Sequence, residues 1–337
     1  MSLTNHVAIF VMAHVAAYAG TGLAFMLLSW ASFFDVPNER SSHSGPIPRG
    51  AGLALTPLAA AAVAGVGVKV AGAPPEAMTV AGLAVALGVV SWIDDRRGLS
   101  AAVRLAAHVA AVGYALYAMR DGGPFFGGLL PGPLDTAAAG FLWLWFVNLF
   151  NFMDGIDGIT GTETAIVGAG AAVVAGLAGI AGGVSHLGIA LAGLTTGFLW
   201  WNWHPAKVFL GDVGSVPFGF LLGWLLLLLA AQGQWAAALI LPLYYLADAT
   251  ITLARRIVRR EKFWLAHRQH FYQRAALGRL GHAGVVFTVL AAGGALIACA
   301  AAAALGWPWP GLAAAVIAVA IMLRRLTRAG SGARPWR

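Results

Sequence analysis

Five of the chain's 13 acidic residues sit in three short polar clusters. Asp94 and Asp95 close the stretch 91–95, Asp154 and Asp157 lie within 148–158, and Asp212 lies within 209–215. A fourth cluster is His267-Arg268-Gln269-His270. Bunched carboxylates bind hard divalent cations through oxygen, and Arg and His donate hydrogen bonds to phosphate. The combination points to metal-assisted chemistry on an anionic substrate.

Each cluster has an ordinary reading beside the chemical one. Asp94-Asp95 precedes Arg96-Arg97, so it is either a helix-end charge pair neutralised by those arginines or an acid pair that binds a metal or positions a nucleophile. A carboxylate at bilayer depth costs about 2.5–3.5 kcal/mol, which weighs against an idle pair. Asn148, Asn151, Asp154 and Asp157 recur at three-residue spacing. They form one stripe if a helix runs through them. If Gly155 and Gly158 break that helix, backbone N–H groups become available to an anion. Asp212 reads as a helix cap or as a Mg²⁺ ligand. Phe209 offers either a ring for stacking a base or an interfacial anchor. His267-Arg268-Gln269-His270 lacks the cysteine or nearby carboxylate that would complete a zinc site. Asp248 is either a buried group paired to another helix or a residue close to the membrane boundary.

The elements that position these clusters are membrane helices. Of the 337 residues, 60% are hydrophobic and 10% charged, against roughly 25% charged in soluble domains. Apolar runs of spanning length fall near 8–31, 50–72, 77–93, 101–119, 135–150, 160–181, 184–201, 214–231, 235–253, 283–304 and 309–323. The expected fold is therefore all-α, a polytopic protein of about eleven transmembrane helices forming one membrane domain over 1–337. The first run is too long, and lacks a preceding basic residue, for a cleaved signal peptide. The lone Cys299 excludes a disulfide framework.

The net charge of +8 reads as a topology signal rather than a nucleic-acid surface. With eleven spans, every Lys and Arg except Lys69 and Arg120 falls on one side or at helix ends facing it. The positive-inside rule makes that side cytoplasmic. The N-terminus is then outside and the C-terminus inside, with cytoplasmic segments at 32–49, 94–100, 151–159, 202–213, 254–282 and 324–337. All four clusters share the cytoplasmic face. A cation-coupled secondary transporter is the rival class, but it calls for carboxylates near the midplane and paired broken helices.

The ordered motifs resemble those of the polyprenyl-phosphate N-acetylhexosamine-1-phosphate transferases, glycosyltransferase family 4. They run from Asp35-Val36-Pro37-Asn38-Glu39-Arg40 and His43 through Pro46-Ile47-Pro48-Arg49-Gly50-Ala51-Gly52. Asp94-Asp95, the stretch 148–158, the stretch 209–215 and the last-loop His/Arg cluster follow in order. The resemblance covers about residues 35 to 275. Within the family, Arg40-Ser41-Ser42-His43 and His267-Arg268-Gln269-His270 with Tyr272-Gln273 look most like the O-antigen-initiating subgroup. The muramyl-pentapeptide branch carries three successive histidines in that loop.

The resemblance implies a bacterial inner-membrane enzyme whose active site faces the cytoplasm. Its donor would be a UDP-N-acetylhexosamine and its acceptor a polyprenyl phosphate, and UMP would be released. Mg²⁺ is the implied cofactor, with Mn²⁺ as the alternative ion, and a homodimer is carried as an open alternative. Asn151 and Asp212 correspond to metal ligands. Asp157 and Gly155 correspond to uracil contacts, with Phe209 near the base and Asn148 on the same side. Asp94 and Asp95 match the pair that handles the lipid phosphate, with Asp154 and Asp212 also in the catalytic set. His267, Arg268 and His270 would hold pyrophosphate or sugar, and Arg49 and His43 are also counted as substrate-binding.

Overall fold

The computed structural model describes residues 3–36, 45–181, 183–261 and 267–331. His43, Arg40 and the 37–44 portion of the first motif lie outside the described residues. The helices, in order, are α1 (Leu3–Trp30), α2 (Gly52–Lys69), α3 (Ala77–Arg97), α4 (Ala101–Ala118), α5 (Gly132–Phe152), α6 (Ile159–Leu177) and α7 (Val184–Asn202). They continue as α8 (Asp212–Leu229), α9 (Trp235–Ile240), α10 (Leu243–Val258), α11 (Phe271–Leu277), α12 (Gly281–Ala304) and α13 (Pro308–Gly330). Two short strands, β1 (Phe34–Asp35) and β2 (Ile47–Pro48), pair antiparallel. Helix dominates because a chain in lipid must satisfy its backbone N–H and C=O groups internally.

Ten stretches among the described residues are long and apolar enough to cross a membrane. The chain is an all-α polytopic membrane protein. The expected ninth span, 235–253, is not one helix: α9 and α10 are separated at Leu241-Pro242. Proline lacks an N–H and its ring collides with the preceding turn, so the break sits where the sequence places Pro242. Upstream, Gln232 and Gly233 leave helical backbone between α8 and α9, Gly233 at φ +82°.

Burial is graded. The spanning window of Asp212–Ile240 is 94% buried, whereas that of α1 is 17% buried. Helix α8 is apolar all round, the composition of a central post. Its first residue is Asp212, so this carboxylate stands at one end of the post, ringed by neighbouring helices. Lipid tails are as apolar as leucine, so association of the helices rests on close packing and hydrogen bonds. Gly219 and Gly223 of α8 receive Phe150 and Trp143 of α5. Trp143 stacks on Phe220 at 4.9 Å between centroids and donates from Nε1 to the Phe220 carbonyl at 2.9 Å. That seam fixes the register of α5 on α8 and brings the end of α5, with Asn151, beside Asp212.

Candidate active site at the α3, α5 and α8 ends

Strand β2 runs into α2 through residues 49–51, and this short piece is stitched to the segment before α8. Phe209 N–H donates to the Pro48 carbonyl at 2.8 Å, and the Gly50 and Ala51 N–H groups donate to the Phe209 carbonyl at 3.0 Å each. Gly52 then lies against Gly214 with no room for a Cβ. This contact explains why both motifs carry glycine, and it sets Arg49 over the start of α8. Gly211, at φ +74°, supplies the positive-φ backbone from which α8 starts.

Arg49 is the hub. Its Nη2 lies 2.7 Å from Asp212 Oδ1 and 3.0 Å from Asp95 Oδ1. Asp95 is 4% exposed and Asp212 is 20% exposed at the side chain, so one guanidinium offsets two carboxylates that would otherwise repel. Burial works against the Arg49 charge, yet Asp212 and Asp95 more than offset it and hold its pKa above the usual value. The far oxygen of Asp212 faces Asn151 Nδ2 at 3.4 Å, while Asn151 Oδ1 accepts from the Ser215 hydroxyl at 2.6 Å. The Val213 N–H points at Asp95 Oδ2, 3.4 Å away.

The sequence pair Asp94-Asp95 is split. Asp95 turns into this cluster, whereas Asp94 clamps the turn between α3 and α4. Asp94 accepts the Leu99 N–H at 2.6 Å and a bond from Arg104 Nη1 at 3.1 Å. The guanidinium of Arg96 instead lies 5.2 Å from the Trp92 ring and 5.8 Å from the Phe33 ring.

The four-residue polar stripe is interrupted. Helix α5 stops at Phe152 and α6 begins at Ile159, because Gly155 and Gly158 follow, Gly158 at φ +79°. Asn148 remains on α5 and donates to the Leu144 carbonyl of its own helix at 2.7 Å. Asp154 accepts from the Thr160 hydroxyl at 2.6 Å. Burial raises its carboxyl pKa to about 6, against the lowering effects of Thr160 and Arg49. Gly155 lies under the Tyr272 hydroxyl, which donates to the Phe152 carbonyl at 3.1 Å.

Asp157 turns the other way. Its Oδ2 lies 2.6 Å from His204 Nδ1 and 3.2 Å from His282 Nδ1, and it accepts the Ala206 N–H at 3.1 Å. Burial alone would raise this carboxyl, but the bonds with His282 and His204 hold it below the ordinary range. Neither histidine was flagged by the sequence. The signal available was thin: a histidine beside Pro205 in the segment before α8 and another at the end of the last loop.

In the last loop, His270 is 2% exposed and bonds Asp248 through Nδ1 at 3.1 Å. Asp248 also accepts the Phe271 and Tyr272 N–H groups at 3.1 Å each. The question left open for Asp248 is thus answered: it is fully buried and anchors the first turn of α11. His270 is consumed in that anchor. His267 stacks on His270 at 4.9 Å. Burial and the neighbouring His270 push its pKa down to about 4, so at neutral pH it is an uncharged donor. Arg268 is partnered, and residues 262–266 lie outside the described residues.

The structure thus brings Arg49, Asp95, Asp212 and Asn151 together, with Asp154 close enough to feel both Arg49 and Asp212. Phe209 is half-buried on the stitched segment. The oxygen donors Asp212, Asp95 and Asn151 suit a hard divalent cation, and the second oxygen of Asp212 is not taken by Arg49.

Residues 77–230 match the family model described as glycosyl transferase family 4. The chain is 36% identical over 190 residues to a phospho-N-acetylmuramoyl-pentapeptide-transferase of Picosynechococcus sp., covering 51% of this chain and 50% of that protein. It is 26% identical over 259 residues to a probable undecaprenyl-phosphate N-acetylglucosaminyl 1-phosphate transferase of Bacillus subtilis, 74% and 71% of the two chains. To a decaprenyl-phosphate N-acetylglucosaminephosphotransferase of Mycobacterium tuberculosis it is 31% identical over 231 residues, 62% and 57%. The match thus spans between half and seven-tenths of these relatives' lengths. The relatives divide between both branches, so the subgroup is not resolved by likeness. These matches show that the chain is similar to glycosyl transferase family 4 over residues 77–230 and carries the cluster its ordered motifs build.

Proposed function

We propose that the chain transfers an N-acetylated hexosamine 1-phosphate from a UDP-sugar to a polyprenyl phosphate. UMP is released and a polyprenyl-pyrophosphoryl sugar is formed, which starts O-antigen or another surface glycan. The observation that carries this reading is the convergence of Arg49, Asp95, Asp212 and Asn151 at one end of the bundle. Such a site balances anions with a fixed guanidinium and leaves carboxylate oxygen for a cation. The His267-Arg268-Gln269-His270 loop supports the O-antigen-type substrate over the muramyl pentapeptide.

The reaction exchanges one pyrophosphate bond for another: an oxygen of the lipid phosphate attacks the β-phosphorus of the UDP-sugar and UMP departs. A phosphate monoester has its second pKa near 6, so the nucleophile is already mostly dianionic and needs little base assistance. The protein's contribution is positioning and charge. Asp212 and Asn151 would hold Mg²⁺, which when bound neutralises charge on the bridging phosphates. Arg49 fixes the orientation of Asp212 and Asp95. Asp157 and Gly155 serve the nucleotide, with Phe209 near the base. The fixed face is cytoplasmic in a bacterial inner membrane: a reporter fused after Arg260 reads inside and one after Gly122 outside. The direct test incubates purified protein with polyprenyl phosphate, Mg²⁺ and a panel of UDP-sugars while UMP is measured. UMP release with at least one N-acetylated sugar, dependent on both lipid and metal, is expected; none with any donor sinks the reading.

A further inference from the structure

Asp157, His204 and His282 form a second cluster on another side of the 153–158 turn. One ligand atom from each lies within 4.8 Å of the others, the one such group of three His, Cys, Asp or Glu among the described residues. The rings of His204 and His282 sit 4.8 Å apart at 53°. The hydrogen-bond pattern there is strained in an informative way. His282 Nδ1 lies 3.4 Å from the Asp157 backbone N–H, a long contact. The same nitrogen is 3.2 Å from carboxylate Oδ2, an acceptor. Only a proton or a cation between them reconciles that pair. The other carboxylate oxygen, Oδ1, is buried with no hydrogen-bond partner, on a residue 4% exposed. A buried carboxylate oxygen left bare loses the full worth of its hydration unless a ligand supplies it.

We infer that Asp157, His204 and His282 are a binding site for one borderline-soft divalent transition-metal ion of the Zn²⁺ class, separate from the oxygen-donor cluster at Asp212. Two imidazoles and a carboxylate match the three-protein-ligand, open-position pattern of zinc, and imidazole selects against Mg²⁺. Ligands at about 2.0–2.1 Å in a tetrahedral set stand roughly 3.4 Å apart. The Asp157–His282 separation of 3.2 Å nearly meets this, and the Asp157–His204 separation of 2.6 Å must open slightly. His204 can give way because its side chain is 47% exposed. That exposure also supplies the entry path and the open coordination position. Each Nδ1 binds the ion through its lone pair, so the ring proton of each neutral imidazole resides on Nε2 and binding weakens as the histidines charge. The site closes the 153–158 turn onto α12, so Asp157, buried with Oδ2 facing both histidines, bears on the nucleotide through the turn it holds, and the inference stands whether or not the transferase reading does.

The test uses the full, untagged chain in detergent, stripped with a chelator and held in excess Mg²⁺. Titrated Zn²⁺ is expected to bind at one ion per chain by calorimetry. Co²⁺ in its place is expected to give visible bands of tetrahedral intensity. His204→Gln, at an exposed side chain that leaves the fold intact, and His282→Gln are each expected to weaken Zn²⁺ by at least about tenfold and to bleach the Co²⁺ bands. Asp212→Asn is expected to leave both readouts unchanged, which keeps this site distinct from the other. Absence of stoichiometric Zn²⁺ binding, or binding that His204→Gln and His282→Gln leave intact, overturns the inference; the cluster then holds protons only.

Discussion

Two carboxylates three residues from each other, Asp154 and Asp157, are held in opposite ways. Asp154 faces the oxygen cluster with Arg49 and Asp212 at a distance and the Thr160 hydroxyl bonded to it, and burial dominates. Asp157 faces two imidazoles and a backbone N–H, and bonding dominates. The break between α5 and α6 decides the difference, since a continuous helix would have turned both carboxylates to one face. One side of the turn is built to balance carboxylates against a guanidinium. The other is built from nitrogen donors. Identical side chains a turn apart thus take on unlike chemistry because of what other helices present to them.

The sharpest way to break this contrast is at Asp212. Asp212→Asn keeps the shape but removes the charge a hard cation needs. Turnover, followed as UMP release, is expected to fall at least about a hundredfold, roughly 2.7 kcal/mol of transition-state stabilisation, with folded protein retained. Near-normal turnover would reduce Asp212 to the start of a helix.

Next in size is Arg49. Arg49→Gln leaves Asp95 and Asp212 facing each other without a cation. Unpairing a fully buried ion costs about 3–5 kcal/mol, but Arg49 is 36% exposed. Discounting for solvent gives about 2 kcal/mol, read as a lower thermal midpoint, with turnover down roughly thirtyfold. Arg49→Lys keeps charge but loses the planar guanidinium whose Nη2 reaches both carboxylates and is expected to fall between. Equal midpoints for all three proteins would show that Arg49 does not hold the cluster.

Asp157→Ala sharpens the division of labour. UMP and UDP-sugar affinity is expected to drop about tenfold, or 1.4 kcal/mol, with polyprenyl phosphate affinity nearly unchanged. Asp94→Ala loosens the α3–α4 turn through Leu99 and Arg104 and is expected to lose turnover with little effect on UMP. Calorimetric titration of UMP into both variants separates them, and equal affinities would erase the distinction.

The smallest effect is in pH. Asp154 has its folded pKa raised to about 6, above an ordinary value near 3.9. The folded state therefore keeps a proton that the unfolded chain has lost, and stability declines as pH rises from about 4 to 6. Asp154→Asn is expected to flatten that slope, by about 1 kcal/mol at its half-buried position. Asp157, held low, contributes stability that is present above the unfolded pKa and lost as pH falls through its folded one. Asp157→Asn is therefore expected to cost stability at neutral pH and little in strong acid. Parallel pH–stability curves for the two variants would contradict the opposed environments.

Much of the machinery was legible residue by residue. Asp95, Asn151 and Asp212 stood out because a carboxylate or amide at the end of an apolar helix is costly without a partner, and Arg49 came with the family resemblance. The span count failed only at the ninth run, where hydropathy averages over Pro242 and registers one stretch instead of α9 and α10. Pairing was not legible. Adjacent Arg96 and Arg97 were the natural neutralisers of Asp94-Asp95, yet Arg49 and Arg104 take that role across 46 and 10 positions of chain. The 46 separating Asp95 from Arg49 follows from their numbers, and the 10 separating Arg104 from Asp94 likewise.

The sequence by itself determined the membrane class and the list of reactive side chains, because lipid allows long apolar runs one backbone solution and makes each stray charge conspicuous. Tertiary structure decided which side chains meet. It turned Asp95 to Arg49 and Asp94 to the α3–α4 turn, spent His270 on the Asp248 anchor, and gave Asp157 two histidines from distant segments. Those choices depend on crossing positions such as Gly52 against Gly214 and Trp143 against Gly223. Such contacts join residues far apart in the chain through shape, and no local periodicity encodes them.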